Sequence, residues 1–180
     1  MIQALTFILA AALAVPTLAL AQSAPPPPNL TDAEVAHVAV TANTIDVDLG
    51  KLAESRTSNP EVKRFATMMV RDHSAVNERA AKLASKLGVT PKDNAVSQSL
   101  LAGAKEARAK VEPLEGSDFD HAYIDREIGY HEAVLDALDK VLIPTTDNKE
   151  LKQLLVEVRP AFVAHLAYAK QIGQKLHASR

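Results

Sequence analysis

The chain has 180 residues, 47% of them hydrophobic, and a formal net charge of −2 from 20 basic and 22 acidic side chains. It has no Cys and no Trp, which excludes a disulfide framework, a thiolate metal site, a Cys nucleophile and covalently attached haem. The length suggests one domain, and the near-neutral charge predicts no nucleic-acid partner.

The N-terminal segment carries no charged side chain before Asp32. Residues 4–15 are apolar, and Ala19-Leu20-Ala21 fits the small-x-small pattern that signal peptidase cuts. We therefore predict a signal peptide at residues 1–21, followed by a Pro-rich linker at residues 22–30. No Lys or Arg precedes the apolar stretch, so an uncleaved anchor is the alternative.

These two alternatives give two locations. A cleaved signal makes the protein periplasmic or secreted, whereas an uncleaved one anchors it by its N-terminus in the inner membrane. Membrane contact is expected only if residues 4–21 remain attached. An envelope protein or a second copy of the chain is the expected kind of partner.

The first two predicted helices form a hairpin. Thr31 and Glu34 make a capping box at the start of the first helix, which continues to about Thr57 with apolar residues every three or four positions. Asn59 and Pro60 begin the second helix, which Gly88 ends. The connection is so short that the two helices must be antiparallel neighbours.

Three further helices are predicted downstream. One spans residues 94–111, and the next begins at Ser117 or Asp118 and ends at Pro144. The last follows a turn at residues 145–148 and contains Pro160, which should kink it or split it near Arg159.

The helix order predicts an all-α, ferritin-like four-helix bundle over residues 31–177. In this fold two helical hairpins are joined by a long crossover, which here contains the additional helix at residues 94–111. The alternative is an up-down bundle in which that helix is a full member.

Three histidines interrupt the apolar seams of three helices. His73 lies 13 residues after the start of its helix, His131 lies 14 after the start of its own, and His165 lies 11 before the end of the antiparallel last helix. These offsets place the rings at one height in the bundle. With Glu127, one turn before His131, they form a candidate site for zinc, iron, copper or manganese.

Polar groups are expected around this layer, and they leave a second interpretation open. The rings could instead form a buried network that fixes the register of the helices, each bonded to protein groups. The side chains expected near the layer are Asp72, Tyr123, Tyr168, Thr41, Thr44 and Asp48.

The other histidines are predicted to have no metal role. His37 follows Glu34, and His121 follows Asp118, by three residues, but both pairs lie at helix starts, where acids serve the cap and the helix dipole. We expect them at the surface. His177 is expected to be solvated near the C-terminus.

Three blocks in order resemble a bacterial family of exported ferritin-like proteins, domain of unknown function 4142. They are Phe65-Ala66-x-Met68-Met69-Val70-x-Asp72-His73, Asp118-Phe119-Asp120-x-x-Tyr123-Ile124 with His131 following, and Pro160-x-x-x-x-His165-Leu166. The resemblance covers nearly all of residues 30–177. It implies a ferritin-like helical fold and a periplasmic or envelope location, and it implies no particular activity.

The site differs from that of di-iron carboxylate bundles, which use Glu-x-x-His pairs. Glu127 and His131 are four residues apart, and no acid precedes His165 by three. The chain also has no Gly-x-Ser-x-Gly and no Gly-rich phosphate loop. We therefore identify no catalytic and no cofactor-binding residues.

Two functions remain at this point. The first is a non-catalytic envelope bundle with a structural, stress-related or partner-binding role and a His-centred polar core. The second is a metal-binding or redox-active bundle that uses His73, His131, His165 and Glu127.

Overall fold

A computed structural model of the protein describes residues 29–178, and within that range every regular element is helical. This confirms the all-α prediction. The predicted signal peptide and residues 22–28 of the linker lie outside the described residues. The elements are α1 (Asp32–Arg56), α2 (Pro60–Leu87), α3 (Ala95–Val111), α4 (Gly116–Ala137), a π-helical turn (Leu138–Leu142), α5 (Ile143–Thr145) and α6 (Lys149–Ala178).

The helix starts follow the predicted capping chemistry. The Thr31 side chain accepts from the Glu34 N–H, and the Glu34 carboxylate accepts from the Thr31 N–H at 3.0 Å. Asn59 caps α2, with Pro60 at the first helical position. Gly88 ends α2 in the left-handed conformation, with a φ of 62° that favours glycine.

Contacts at the ends of α3 show its direction between the first helical hairpin and the second. Asn94 Nδ2 donates to Glu34 O at 3.2 Å, and Arg56 donates to Glu112 O, so α3 runs parallel to α1 along its whole length. This brings the chain back to the end where α2 began, and α4 therefore runs parallel to α2. The helix α3 is thus a crossover, and only Ser97 and Val111 of its residues are buried.

The structure bears on two predictions at prolines. The helix α6 continues through Pro160 without a split near Arg159. The carbonyl that loses its donor there belongs to Val156, a residue that is 50% exposed. The fourth helical stretch, predicted to end at Pro144, includes the π turn and α5 and ends at Thr145.

The bundle core consists of two apolar clusters, one toward each end. The cluster at the end where α2 and α4 begin contains Leu49, Ala53, Val62, Phe65, Ala66, Met69, Val111, Phe119, Tyr123, Ile124, Ala169 and Ile172. The cluster at the other end contains Leu30, Val35, Ala36, Val38, Leu138, Leu142, Leu151, Leu154, Leu155, Val158 and Phe162. Among the described helices, none is long and apolar enough to cross a bilayer.

A close approach of α1 and α2 at Gly50 gives a testable prediction. A Cβ at Gly50 would lie 2.9 Å from Val70 Cγ2 and 3.2 Å from Ala66 O. We expect Gly50→Ala to lower the free energy of unfolding by about 1–3 kcal/mol, because the packed neighbours must move. The exposed Gly129 of α4 has nothing within 4 Å of its Cβ position, so Gly129→Ala should raise that free energy by about 0.5–1 kcal/mol. Urea denaturation of both variants checks this, and equal effects would contradict it.

Candidate metal centre

Three histidines from three helices meet in one buried layer. The ring centroids are 5.6 Å apart for His73 and His131, 5.3 Å for His73 and His165, and 5.6 Å for His131 and His165. One ring nitrogen from each lies within 4.8 Å of the others. The residues are only 1–3% exposed. We call this group the three-His layer.

One nitrogen of each ring is held by a protein acceptor. His73 Nδ1 lies 2.7 Å from Asn43 Oδ1, His131 Nδ1 lies 3.0 Å from the Glu127 carbonyl, and His165 Nε2 lies 3.0 Å from Asp72 Oδ2. Asn43 is oriented by its own Nδ2, which donates to Ala39 O. Since all three partners accept, each of these ring nitrogens must donate, which assigns the tautomer.

The opposite nitrogen of each ring carries a lone pair and has no hydrogen-bond partner. These atoms, His73 Nε2, His131 Nε2 and His165 Nδ1, are all buried. His73 Nε2 lies 3.4 Å from Asp46 Oδ2, but without the geometry of a hydrogen bond. Burying an unsatisfied acceptor costs about 1–3 kcal/mol. An ion bound by these three nitrogens would satisfy all three lone pairs at once, so the chemistry of the donor set fits a metal ion.

Burial also fixes the charge of the His73 and His165 rings. Desolvation, with smaller effects from His131 and His165, lowers the pKa of His73 to about 2. Burial likewise lowers the pKa of His165, although Asp72 opposes the shift. Both rings are therefore neutral at ordinary pH, which is the form that binds metals.

A second buried group adjoins the layer through its shared histidine. Asp46, Glu127 and His131 each offer a ligand atom within 4.8 Å of the others, and we call them the acid group. Burial raises the pKa of Glu127 to about 7 and also raises that of Asp46. Arg126 Nη1 lies 2.8 Å from Asp46 Oδ1 and 2.7 Å from Glu127 Oε1, and its charge opposes both shifts.

Three of the four predicted metal ligands come together in the structure. His73, His131 and His165 come together, and Asp72 supports His165. Glu127 lies beside His131, with Oε2 3.5 Å from Nδ1, but it belongs to the acid group and not to the three-His layer.

Both tyrosines expected near the layer pack beside Phe65. The ring centroids of Tyr123 and Tyr168 lie 6.2 and 5.8 Å from that of Phe65. They are thus part of the apolar cluster at the end where α2 and α4 begin, or packed against it.

The residues of α1 that were predicted to lie near the layer are on the wrong face of the helix. Thr44 and Asp48 are exposed, and Thr41 contacts His37 at 3.5 Å. The residues that α1 actually contributes are Asn43 and Asp46, which the sequence reasoning missed. Their spacing of three, continued by the small residues Gly50 and Ala53, was a signal for a second buried face.

The expected surface location of His121 was also wrong. His121 is 7% exposed, and its Nδ1 lies 2.6 Å from Ser117 O. Its ring centroid lies 5.1 Å from that of His177, which is half exposed and within 3.3 Å of Asp125. His37 is partly exposed at the bundle surface, as expected.

Comparisons with known proteins bear on the fold and the family. A solved structure described as "CopM in the Cu(II)-bound form" has a TM-score of 0.62 and 15% sequence identity, and covers 82% of this chain and 98% of that one. At this identity the similarity shows the fold alone. No curated protein matches the sequence. Residues 17–172 match the family described as "Domain of unknown function (DUF4142)", and the chain therefore belongs to that family.

Proposed function

We propose that this protein is an exported helical bundle that binds one transition-metal ion through the unpaired nitrogens of the three-His layer. One observation carries this proposal: His73 Nε2, His131 Nε2 and His165 Nδ1 are buried without a hydrogen-bond partner, while the other nitrogen of each ring is held by a protein acceptor. A ligating imidazole almost always has such support on its second nitrogen.

The ligand chemistry favours copper or zinc over harder ions. Three neutral imidazole nitrogens suit copper, zinc, nickel and iron, whereas manganese prefers carboxylate oxygens. Three protein ligands leave one position of a tetrahedral ion open. The similar fold described with Cu(II) bound makes copper the first ion to test. We propose binding and assign no reaction.

Titration of the purified, chelator-treated protein with Cu²⁺, Zn²⁺ and Mn²⁺ tests the proposal. We expect one equivalent of copper or zinc, with copper tightest and manganese weakest, in the order that nitrogen ligands give. Calorimetry supplies the affinities, and elemental analysis after desalting supplies the stoichiometry. A protein that retains none of the three ions would overturn the proposal.

The second candidate function is the non-catalytic structural one. It is supported by two of the hydrogen bonds, because His73 to Asn43 joins α2 to α1 and His165 to Asp72 joins α6 to α2. Such bonds can fix the register of alanine-rich helices. This reading leaves three buried lone pairs unsatisfied, so we place it second. It becomes the preferred function if the titrations show no binding.

Export is proposed from the sequence of residues 1–21. Cleavage after Ala21 would give a mature N-terminus at Gln22, in the periplasm or outside the cell. N-terminal sequencing of the exported protein checks this. An intact N-terminus in the membrane fraction would favour the anchored alternative instead.

A further inference from the structure

The acid group beside the three-His layer has the composition of a cation site. The carboxylates of Asp46 and Glu127 and the ring of His131 are 2%, 0% and 1% exposed, and each offers a ligand atom within 4.8 Å of the others. Carboxylate oxygens combined with an imidazole suit divalent ions such as Mn²⁺, Fe²⁺ and Zn²⁺. In addition, Glu127 Oε2 is fully buried and has no hydrogen-bond partner.

A positive charge already lies between these carboxylates. Arg126 Nη1 donates to Asp46 Oδ1 at 2.8 Å and to Glu127 Oε1 at 2.7 Å. The guanidinium carbon lies 3.9 Å from the centre of the Tyr130 ring, and Tyr130 in turn donates to Ala42 O at 3.0 Å. The Arg126 side chain is only 10% exposed. Tyr130 and the two carboxylates therefore hold the guanidinium in one place.

We infer that Arg126 takes the place of a second metal ion and thereby limits this centre to one ion. The inference rests on the proposed function, because it concerns the neighbour of the three-His layer. His131 belongs to both groups, but its Nδ1 donates to the Glu127 carbonyl and its Nε2 belongs to the three-His layer, so a second ion would depend on the carboxylates of Asp46 and Glu127. Arg126 Nη1 already occupies one oxygen of each carboxylate, and a divalent ion added beside it would leave these groups with a net positive charge, which is unfavourable in a buried layer.

An uncharged residue at position 126 should open the second position. We expect wild-type protein to bind one equivalent of Zn²⁺, and Arg126→Ala to bind two. The position that Arg126 leaves should also bind Mn²⁺ weakly in Arg126→Ala, because it offers carboxylate oxygens. The wild type lacks this manganese site. Adding Glu127→Gln to Arg126→Ala should return the stoichiometry to one.

Arg159→Ala is the matched control. Arg159 also pairs with a carboxylate, that of Asp139 at 2.7 Å, but on the exposed surface. This variant should keep one equivalent. Where Arg126→Ala does not fold, Arg126→Gln keeps more of the packing, and Mn²⁺ should raise the melting temperature of either variant but not that of the wild type.

The outcomes separate the two claims. A wild type that binds no metal overturns the proposed function. A wild type with one equivalent and Arg126 variants that also bind one, with no stabilisation by Mn²⁺, overturns this inference and leaves the proposed function intact. Two equivalents in the wild type would also overturn it, because Arg126 would not then exclude the second ion.

Discussion

Replacing His73 and His131 together with alanine is expected to abolish metal binding. The double variant keeps one of the three unpaired nitrogens, and a single imidazole cannot hold an ion against water and buffer. Because loss of a supporting partner alone typically costs about 10–100-fold in affinity, removal of two direct ligands should cost well over about 100-fold. Calorimetric titration with Cu²⁺ and Zn²⁺, together with elemental analysis, measures the loss.

Two further variants calibrate this result. His121→Ala removes a buried histidine of the same helix as His131 but outside the three-His layer, and it should retain one equivalent. Asn43→Ala removes only the acceptor that orients His73, so it should weaken binding by about 10–100-fold without abolishing it. Equal metal content in the double variant and the wild type would contradict the assignment of the layer.

In the metal-free protein, the contribution of His73 to stability is expected to fall as the pH drops below 6.5. The pKa of His73 is about 2 in the folded protein, against an ordinary value of 6.5. Above pH 6.5 neither state binds a proton on this ring. Below it, the unfolded chain takes up a proton that the folded chain does not. The free energy of unfolding should therefore fall by about 1.4 kcal/mol per pH unit for this group.

Glu127 acts in the opposite direction. Its pKa is about 7 in the folded protein, against an ordinary value of 4.5, so the folded form holds the extra proton between these values. Its contribution to stability thus rises by about 1.4 kcal/mol per pH unit as the pH falls from 7 to 4.5, which offsets the loss from His73 over that range, so the net loss from these two groups comes below pH 4.5.

Comparison with His73→Asn isolates the histidine contribution, because the Glu127 effect is common to both proteins. Between about pH 6 and 4.5 the wild type should lose about 1.4 kcal/mol per pH unit more than His73→Asn. Urea denaturation in the presence of a chelator, repeated across this range, provides the measurement. Parallel pH profiles would show that His73 is not held neutral by burial.

The helices and the height of the histidines followed from local chemistry. Capping boxes, a proline at a first helical position and a glycine at a helix end act within a few residues of sequence, and so they can be recognised without the fold. The layer could be predicted because helical rise is constant. Once the direction of each helix was inferred, counting residues from the helix ends placed His73, His131 and His165 at one height.

The polar residues that α1 places beside the histidines could not be predicted from a single apolar stripe of that helix. This helix packs against α2, α4 and the crossover α3, so it is buried on more than one face. The stripe that contains Val35, Val38 and Ile45 is one face, and Asn43 and Asp46 lie on another. Which polar residues face the histidines depends on the rotation of α1 in the bundle, and that rotation is set by tertiary contacts such as the one at Gly50.

The position of the three-His layer between two apolar clusters has a consequence for the rate at which an ion would enter and leave. The rings are 1–3% exposed and come from α2, α4 and α6, with α1 holding one of them in place. A bound ion could therefore exchange only when the bundle opens, and opening of core helices is among the slowest motions of a folded domain. The rate of that opening, and not the affinity of the site, would then limit how fast an ion enters the folded protein and how fast a chelator removes it.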